Sequence, residues 1–198
     1  MTRAVFLDRD GTLIDVVRDE ETGVISTAFH PDHLRILPGV IPGLRALADA
    51  GYLLAIATNQ PGPAKGQFSA AAVNRTNDAL VAALAAEGVT IAQVAVCMHH
   101  PVGGPAGDAA LIGPCACRKP LPGLLDRLVT ELEVDRQASW MVGDSRADVD
   151  AGRAAQLRTA LLFSTDRCEL CPLRGGPPGA PEVCGASFAA VSRAILAA

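Results

Sequence analysis

Asp8 and Asp10 flank a single residue in the stretch Asp8-Arg9-Asp10-Gly11-Thr12, directly after an apolar run. Alternate residues of an extended chain point to the same side, so the two carboxylates share a face, and Gly11 lets the backbone turn behind them. Acids this close repel without a cation. Mg²⁺ is a hard ion that takes oxygen ligands and neutralises the charge developing in phosphoryl transfer. The pair can then divide the chemistry. Asp8 attacks phosphorus to form an aspartyl-phosphate, while Asp10 protonates the leaving oxygen and later deprotonates water. Standing alone, such a stretch is more often a solvated turn or a helix cap, but it does not stand alone.

Thr58-Asn59-Gln60 offers a hydroxyl and backbone amides to phosphate oxygens. Arg118-Lys119-Pro120 supplies cations where phosphate charge needs compensation. Gly143-Asp144-Ser145-Arg146-Ala147-Asp148 follows another apolar run. Asp144 can complete the metal site, Ser145 is a candidate substrate contact, and Asp148 can cap or orient the following helix. Each stretch by itself is ordinary surface or turn sequence. Their joint occurrence, each at the end of an apolar run, is what points to one site.

A second constellation consists of soft ligands. Cys97-Met98-His99-His100 precedes Cys115-Ala116-Cys117, which gives C-x-H, a loop and C-x-C. Cys97, His99, Cys115 and Cys117 suit a closed, tetrahedral and therefore structural Zn²⁺ site. The Gly- and Pro-rich loop between them has few other means of staying ordered. His100 is left unassigned. Cys168, Cys171 and Cys184 form a C-x-x-C with one further cysteine but no nearby histidine, and reduced thiols are expected there.

The elements that position these residues alternate. Apolar runs of strand length occur at 4–7, 52–57, 94–98, 139–142 and 159–163. Helical patterns occur at 41–50, 69–87, 123–132 and 147–156, the first two stopped by Gly51 and Gly88. This alternation predicts an α/β fold with a doubly wound, mainly parallel, Rossmann-like sheet. Ligands bind such sheets at the carboxyl ends of the strands, which selects Asp8, Thr58, Lys119 and Asp144. The chain of 198 residues, 49% hydrophobic, is expected to form a single domain over 1–198, with a zinc loop at about 97–117 and a C-terminal tail at about 164–198. Ser187 can cap a last helix whose Phe188, Val191 and Ile195 share a face that would pack on the body.

Composition narrows the partners. A net charge of −4 provides no basic field for nucleic acid or acidic lipid, so phosphate must be captured locally. The N-terminus reaches Asp8 after four apolar residues, too few for a signal peptide, and no stretch approaches membrane-spanning length. A cytoplasmic protein is expected, acting on a small phosphorylated metabolite, with a monomer as the default.

The ordered set D-R-D-G-T, T-N-Q, R-K-P and G-D-S-R-A-D resembles the haloacid dehalogenase superfamily of phosphatases over roughly residues 4–163. The resemblance implies Asp8 as nucleophile, Asp10 as acid and base, and Thr58 and Lys119 as stabilisers of the transferring phosphoryl group. It implies Mg²⁺ held by Asp8, the Asp10 backbone carbonyl and Asp144. The Cys/His cluster resembles the zinc loop of the branch that acts on heptose bisphosphate or histidinol phosphate. In that branch the loop replaces a large cap domain, and an arginine at the position of Arg118 helps select the substrate. The resemblance favours D-glycero-D-manno-heptose 1,7-bisphosphate, cleaved at the 7-phosphate, over histidinol phosphate, whose branch has a shorter zinc loop and is often joined to a dehydratase domain. Two departures stand out. The segment 16–37 is longer than its counterpart, with His30 and His33 as candidate replacements for substrate contacts, and Pro61 removes a donor and a hydroxyl after Gln60. A non-catalytic zinc-stabilised module and a nucleic-acid end phosphatase are the competing readings. The acidic balance argues against the second.

Overall fold

The computed structural model describes residues 2–18, 21, 23–163 and 181–198. Cys168 and Cys171 lie outside the described residues. Six strands form one parallel sheet: β1 (Arg3–Leu7), β4 (Tyr52–Asn59), β5 (Gln93–Cys97), β6 (Trp140–Gly143), β7 (Arg158–Leu162) and β8 (Val183–Gly185), in the order β5-β4-β1-β6-β7-β8. A separate antiparallel pair, β2 (Val17–Arg18) and β3 (Ile25–Ser26), makes a short hairpin within the 16–37 segment. The doubly wound α/β expectation is met, and the strand bounds differ from those read in sequence by one or two residues.

The strands are apolar on both faces because both faces are covered. Val5 and Leu7 of β1 point into one core with Leu54, Ile56, Trp140 and Val142. Ala4 and Phe6 point into the other with Ala55, Ala57 and Met141. The first core is closed by α1 (Val40–Asp49), α3 (Ala70–Ala86) and α6 (Phe188–Ala197), which contribute Leu44, Leu80 and Phe188. The second is closed by α4 (Gly123–Glu131) and α5 (Arg146–Ala154), through Leu125, Leu128 and Ala151. Among the described residues, no helix is long and apolar enough to cross a membrane.

Helix ends follow local chemistry. Ser69 and Ser187 cap α3 and α6 by accepting from Ala72 N and Ala190 N at 3.1 and 3.2 Å. Phe188, Val191 and Ile195 are buried, so α6 does pack on the body. It rests on α1 at Gly43, where a Cβ would lie 2.7 Å from Phe188 Cδ1. Only a glycine lets the two helices approach this closely.

The β2–β3 pair and two further elements were not foreseen. One is β8, three residues long with an exposed Cys184 at its centre, too short to show alternation. The other is the single turn α2 (Gly62–Lys65), entered from Pro61. The loop between the Cys/His pairs lies on α2 through glycines: Cβ atoms at Gly104 and Gly107 would come within 2.1 Å of Lys65 O and 2.0 Å of Ala64 O. Gly104 N and Asp108 N donate to Ala64 O and Pro63 O at 3.2 and 3.0 Å.

The chain leaves β1 for β4 and β5 on one side and returns to β6, β7 and β8 on the other. This reversal of strand order opens a crevice beyond the carboxyl ends of β1 and β6, where ligands of such sheets bind. Leu7 pairs with both Ile56 and Val142, so Asp8 emerges level with the ends of β4 and β6.

Candidate active site

Lys119 is the centre of charge. Its Nζ donates to Asp8 Oδ1 and to Ala57 O, each at 2.7 Å, and lies 2.6 Å from Asp148 Oδ1. All three side chains are buried. Burial alone would lower the lysine pKa, but Asp148 and Asp8 together outweigh it and hold the value above the ordinary range. Lys119 is therefore a fixed cation. The backbone beside it is fixed as well: Asn59 Nδ2 donates to Lys119 O at 3.0 Å, and Lys119 N donates to Asn59 Oδ1 at 3.1 Å. The Asn59 side chain thus clamps the lysine loop.

Asp8, Asp144 and Asp148 bring carboxylate oxygens within 4.8 Å of one another. Burial first, and then the neighbouring acids, push Asp144 up to about 8. Burial also dominates at Asp8, raised to about 6 against the opposing pull of Lys119. Gly11 lets the backbone close over this cluster. It holds φ +85°, and a Cβ there would sit 2.0 Å from Asp144 Oδ2. Asp148 is committed elsewhere, since its Oδ2 accepts from Ser145 N at 3.1 Å and from Ser145 Oγ at 2.5 Å. Asp8 and Asp144 are left as the acids best placed to share a hard dication, which would relieve the repulsion that raises both.

Asp10 faces a different set of groups. Its Oδ2 accepts from Gln60 Nε2 at 2.7 Å and Arg9 Nε at 3.0 Å, and its Oδ1 from Ala28 N at 3.0 Å. Gln60 Nε2 also reaches Thr58 Oγ1 at 2.9 Å. Gln60 is fully buried and ties the end of β4 to the acid. β4 continues through Thr58 and Asn59, two residues past the apolar run read in the sequence, and Gln60 follows it.

Arg118 is half-buried, its Nη1 donating to His99 O at 3.3 Å. His30 is exposed and accepts from Asp32 N at 3.2 Å. His33 packs edge-on to Phe29 at a centroid distance of 4.6 Å, and Phe29 stacks on Phe68 at 4.9 Å. Sequence reasoning missed Arg9, Asn77, the Ala28 backbone and the Lys119–Asp148 pair. One signal was available: Asn77, like Thr76 beside it, is a polar residue among the buried and mostly apolar positions of α3.

Cys97, His99, Cys115 and Cys117 converge within 4.8 Å. Cys97 Sγ lies 3.8 Å from Cys115 Sγ and from His99 Nδ1, and Cys117 Sγ lies 3.4 Å from His99 Nδ1. A tetrahedral ion with Zn–S bonds of about 2.3 Å separates its sulfurs by about 3.8 Å. The Cys97–Cys117 pair is tighter, at 2.9 Å. Burial pushes the Cys97 thiol well above its ordinary value, so a cation is what would hold it as a thiolate. The cluster is capable of holding a metal.

Residues 116–174 match the HAD-hydrolase-like family. The D-glycero-beta-D-manno-heptose-1,7-bisphosphate 7-phosphatase of Yersinia pestis is 36% identical over 164 residues, covering 83% of this chain and 81% of the relative. The chain belongs to the haloacid dehalogenase superfamily of phosphatases. A phosphatase of the same name from Pasteurella multocida is 35% identical, with 84% of each chain covered. Among solved structures, D,D-heptose 1,7-bisphosphate phosphatase from B. bronchiseptica, complexed with magnesium and phosphate, aligns with a TM-score of 0.78 and 29% identity over 99% of both chains. A HAD-like phosphatase from Mesorhizobium loti aligns with a TM-score of 0.68 and 33% identity, covering 81% of this chain and 72% of that one. This phosphatase is a phosphoric monoester hydrolase with a six-stranded parallel sheet and its acids at the reversal of strand order.

The carboxyl pKa shifts of this phosphatase carry a test. Asp8 and Asp144 keep their protons to about 6 and about 8, well above the ordinary carboxylate range of an unfolded chain, so folding takes up protons in that window. The stability that these groups contribute is highest at acid pH and falls as pH rises through both values. The Tm of metal-free protein is expected to drop between pH 5 and 8 more steeply than that of Asp144→Asn. Added Mg²⁺ should raise Tm more at pH 8 than at pH 5. Equal Mg²⁺ shifts at the two pH values would remove Asp144 as a ligand.

Proposed function

We propose that this chain is a Mg²⁺-dependent phosphatase that removes the 7-phosphate of D-glycero-D-manno-heptose 1,7-bisphosphate through an aspartyl-phosphate on Asp8. The observation that carries the reading is the buried Lys119 held on Asp8 and Asp148, with Asp144 alongside and Asp10 held separately by Gln60 and Arg9. One carboxylate is thus paired with a fixed cation, and a second stands apart to move a proton.

An oxygen of Asp8 attacks phosphorus, and the bond to the leaving sugar oxygen breaks as Asp10 delivers its proton there. Asp10 then takes a proton from water, whose oxygen attacks the same phosphorus and returns Asp8 as a carboxylate with release of inorganic phosphate. Lys119 and Thr58 stabilise the charge on the phosphoryl oxygens. Asp8, Asp144 and the Asp10 backbone carbonyl would hold Mg²⁺, which supplies charge neutralisation. Arg118, next in sequence to Lys119 and bonded to His99 O, would contact the rest of the substrate. Ser145 directs both its amide and its hydroxyl to Asp148, so its role is to orient that acid.

The names of the relatives from Yersinia pestis and Pasteurella multocida support the substrate, and the magnesium and phosphate of the B. bronchiseptica structure support the metal and the phosphoryl chemistry. Zinc is the proposed occupant of the Cys/His cluster because three thiolates and an imidazole suit that ion.

The test is phosphate release with Mg²⁺ from heptose 1,7-bisphosphate, histidinol phosphate and a 5′-phosphorylated DNA oligonucleotide. The heptose substrate should exceed the others in kcat/KM by about 10-fold or more. Equal or faster turnover of histidinol phosphate would end the heptose assignment while leaving the phosphatase intact.

A further inference from the structure

Arg9 lies between the two motif aspartates, and its side chain is fully buried, second only to Trp140 in size among such side chains. β1 ends at Leu7, so Arg9 sits in the bend that follows it, and its side chain runs into the protein. Burying a guanidinium is costly unless each of its donors is used. Here they are. Nε donates to Asp10 Oδ2 at 3.0 Å, and Nη2 donates to Asp10 Oδ1 at 3.3 Å and to Ala28 O at 2.6 Å. Nη1 donates to Asn77 Oδ1 of α3 at 2.6 Å. The peptide unit of Ala28 completes the ring, because its own N–H donates to Asp10 Oδ1 at 3.0 Å.

We infer that Arg9 is a positioning residue that fixes the plane of the Asp10 carboxylate by a two-pronged contact, itself held by Asn77 and the Ala28 peptide. The inference rests on the reading of Asp10 as acid and base. A planar fork meeting a planar carboxylate restricts rotation about the Cβ–Cγ bond in a way that a lysine ammonium cannot. Asp10 then accepts from Arg9 Nε, Arg9 Nη2, Ala28 N and Gln60 Nε2. When a leaving oxygen engages one carboxylate oxygen in place of one of these donors, the remaining three still hold the plane. Proton transfer depends on that geometry. The arrangement also links the 16–37 segment, through Ala28, directly to the acid that serves the leaving group.

The readout is the dependence of kcat/KM on the leaving group, measured on the full chain with its metals, using p-nitrophenyl phosphate and a simple alkyl phosphate. The ratio kcat/KM covers the steps up to departure of the leaving group, where Asp10 acts as acid. Arg9→Met should lose on the order of 10²-fold with the alkyl phosphate and less than about 10-fold with p-nitrophenyl phosphate, whose departure needs little protonation. Arg9→Lys should recover only part of the loss. Asn77→Ala should lose about 3- to 10-fold with the same bias, since it loosens the guanidinium without removing it. A loss uniform across both leaving groups in a folded variant would reduce Arg9 to structural support and overturn the inference. If Arg9→Met does not fold, Asn77→Ala decides by the same criterion. Asp10→Asn is measured in parallel. If its loss is independent of the leaving group, the acid reading of Asp10 fails. If Asp10→Asn shows the bias and Arg9→Met does not, only the role of Arg9 fails.

Discussion

Asp8→Asn is expected to reduce phosphate release by on the order of 10⁴-fold or more, with the fold retained. Asparagine has nearly the size of aspartate and keeps a carbonyl oxygen for the Lys119 hydrogen bond at 2.7 Å. It has no anionic oxygen with which to attack phosphorus. The change also removes one of three carboxylates that crowd within 4.8 Å, two of which titrate upward partly through mutual repulsion. In metal-free protein at pH 8 the variant should therefore melt at the same temperature as the parent or higher, while its Mg²⁺ affinity falls. Inactive but undiminished in stability is an outcome that separates a nucleophile from a structural aspartate. Activity above one-tenth of the parent would exclude Asp8 as the nucleophile, and so would binding of a beryllium fluoride phosphoryl mimic unchanged by the substitution.

What the sequence made legible follows from local rules. Asp8, Thr58 and Asp144 come together because short apolar runs alternate with amphipathic helices, and a parallel sheet places the ends of β1, β4 and β6 side by side. The convergence of Cys97 and His99 with Cys115 and Cys117 was readable from spacing and ligand type alone. The less visible part consists of contacts between residues far apart in sequence. Asp148 read as a helix cap, which it is through Ser145, but its ion pair with Lys119 depends on how α5 sits against the 118–120 turn. Asn59 and Gln60 read as phosphate contacts, yet one clamps the Lys119 backbone and the other the Asp10 carboxylate. Motif spacing marks such residues as belonging to the site and does not show which way their amides face. Arg9 shows the same limit, since nothing in a D-x-D stretch tells whether the middle residue has a buried partner such as Asn77.

Loss of one ligand of the proposed zinc site is expected to act on both stability and catalysis. In Cys115→Ser the hydroxyl is a poor substitute for a thiolate ligand, so zinc content should fall from about one per chain to near zero. If the parent holds zinc at free concentrations about 1,000 times its Kd, the stabilisation lost is about 4 kcal/mol, which for a chain of this length is about 8–16 °C in Tm. The catalytic effect follows from connectivity. Cys97 ends β5 in register with Asn59 of β4, and Cys117 lies two residues before Lys119. The Cys/His loop and the Asn59–Lys119 clamp are thus two ends of one short structure, and slackening the first is expected to loosen the second. The loop also rests on α2 through Gly104 and Gly107, directly after Pro61 and Gln60. A fall in kcat/KM of about 10-fold is therefore expected at temperatures where the variant is still folded, measured as phosphate release below its melting transition. Cys184→Ser, at an exposed free thiol in β8, is the control and should change neither zinc content nor Tm. A Cys115→Ser protein that retains its zinc and its melting temperature would show that the four ligands do not act as one site.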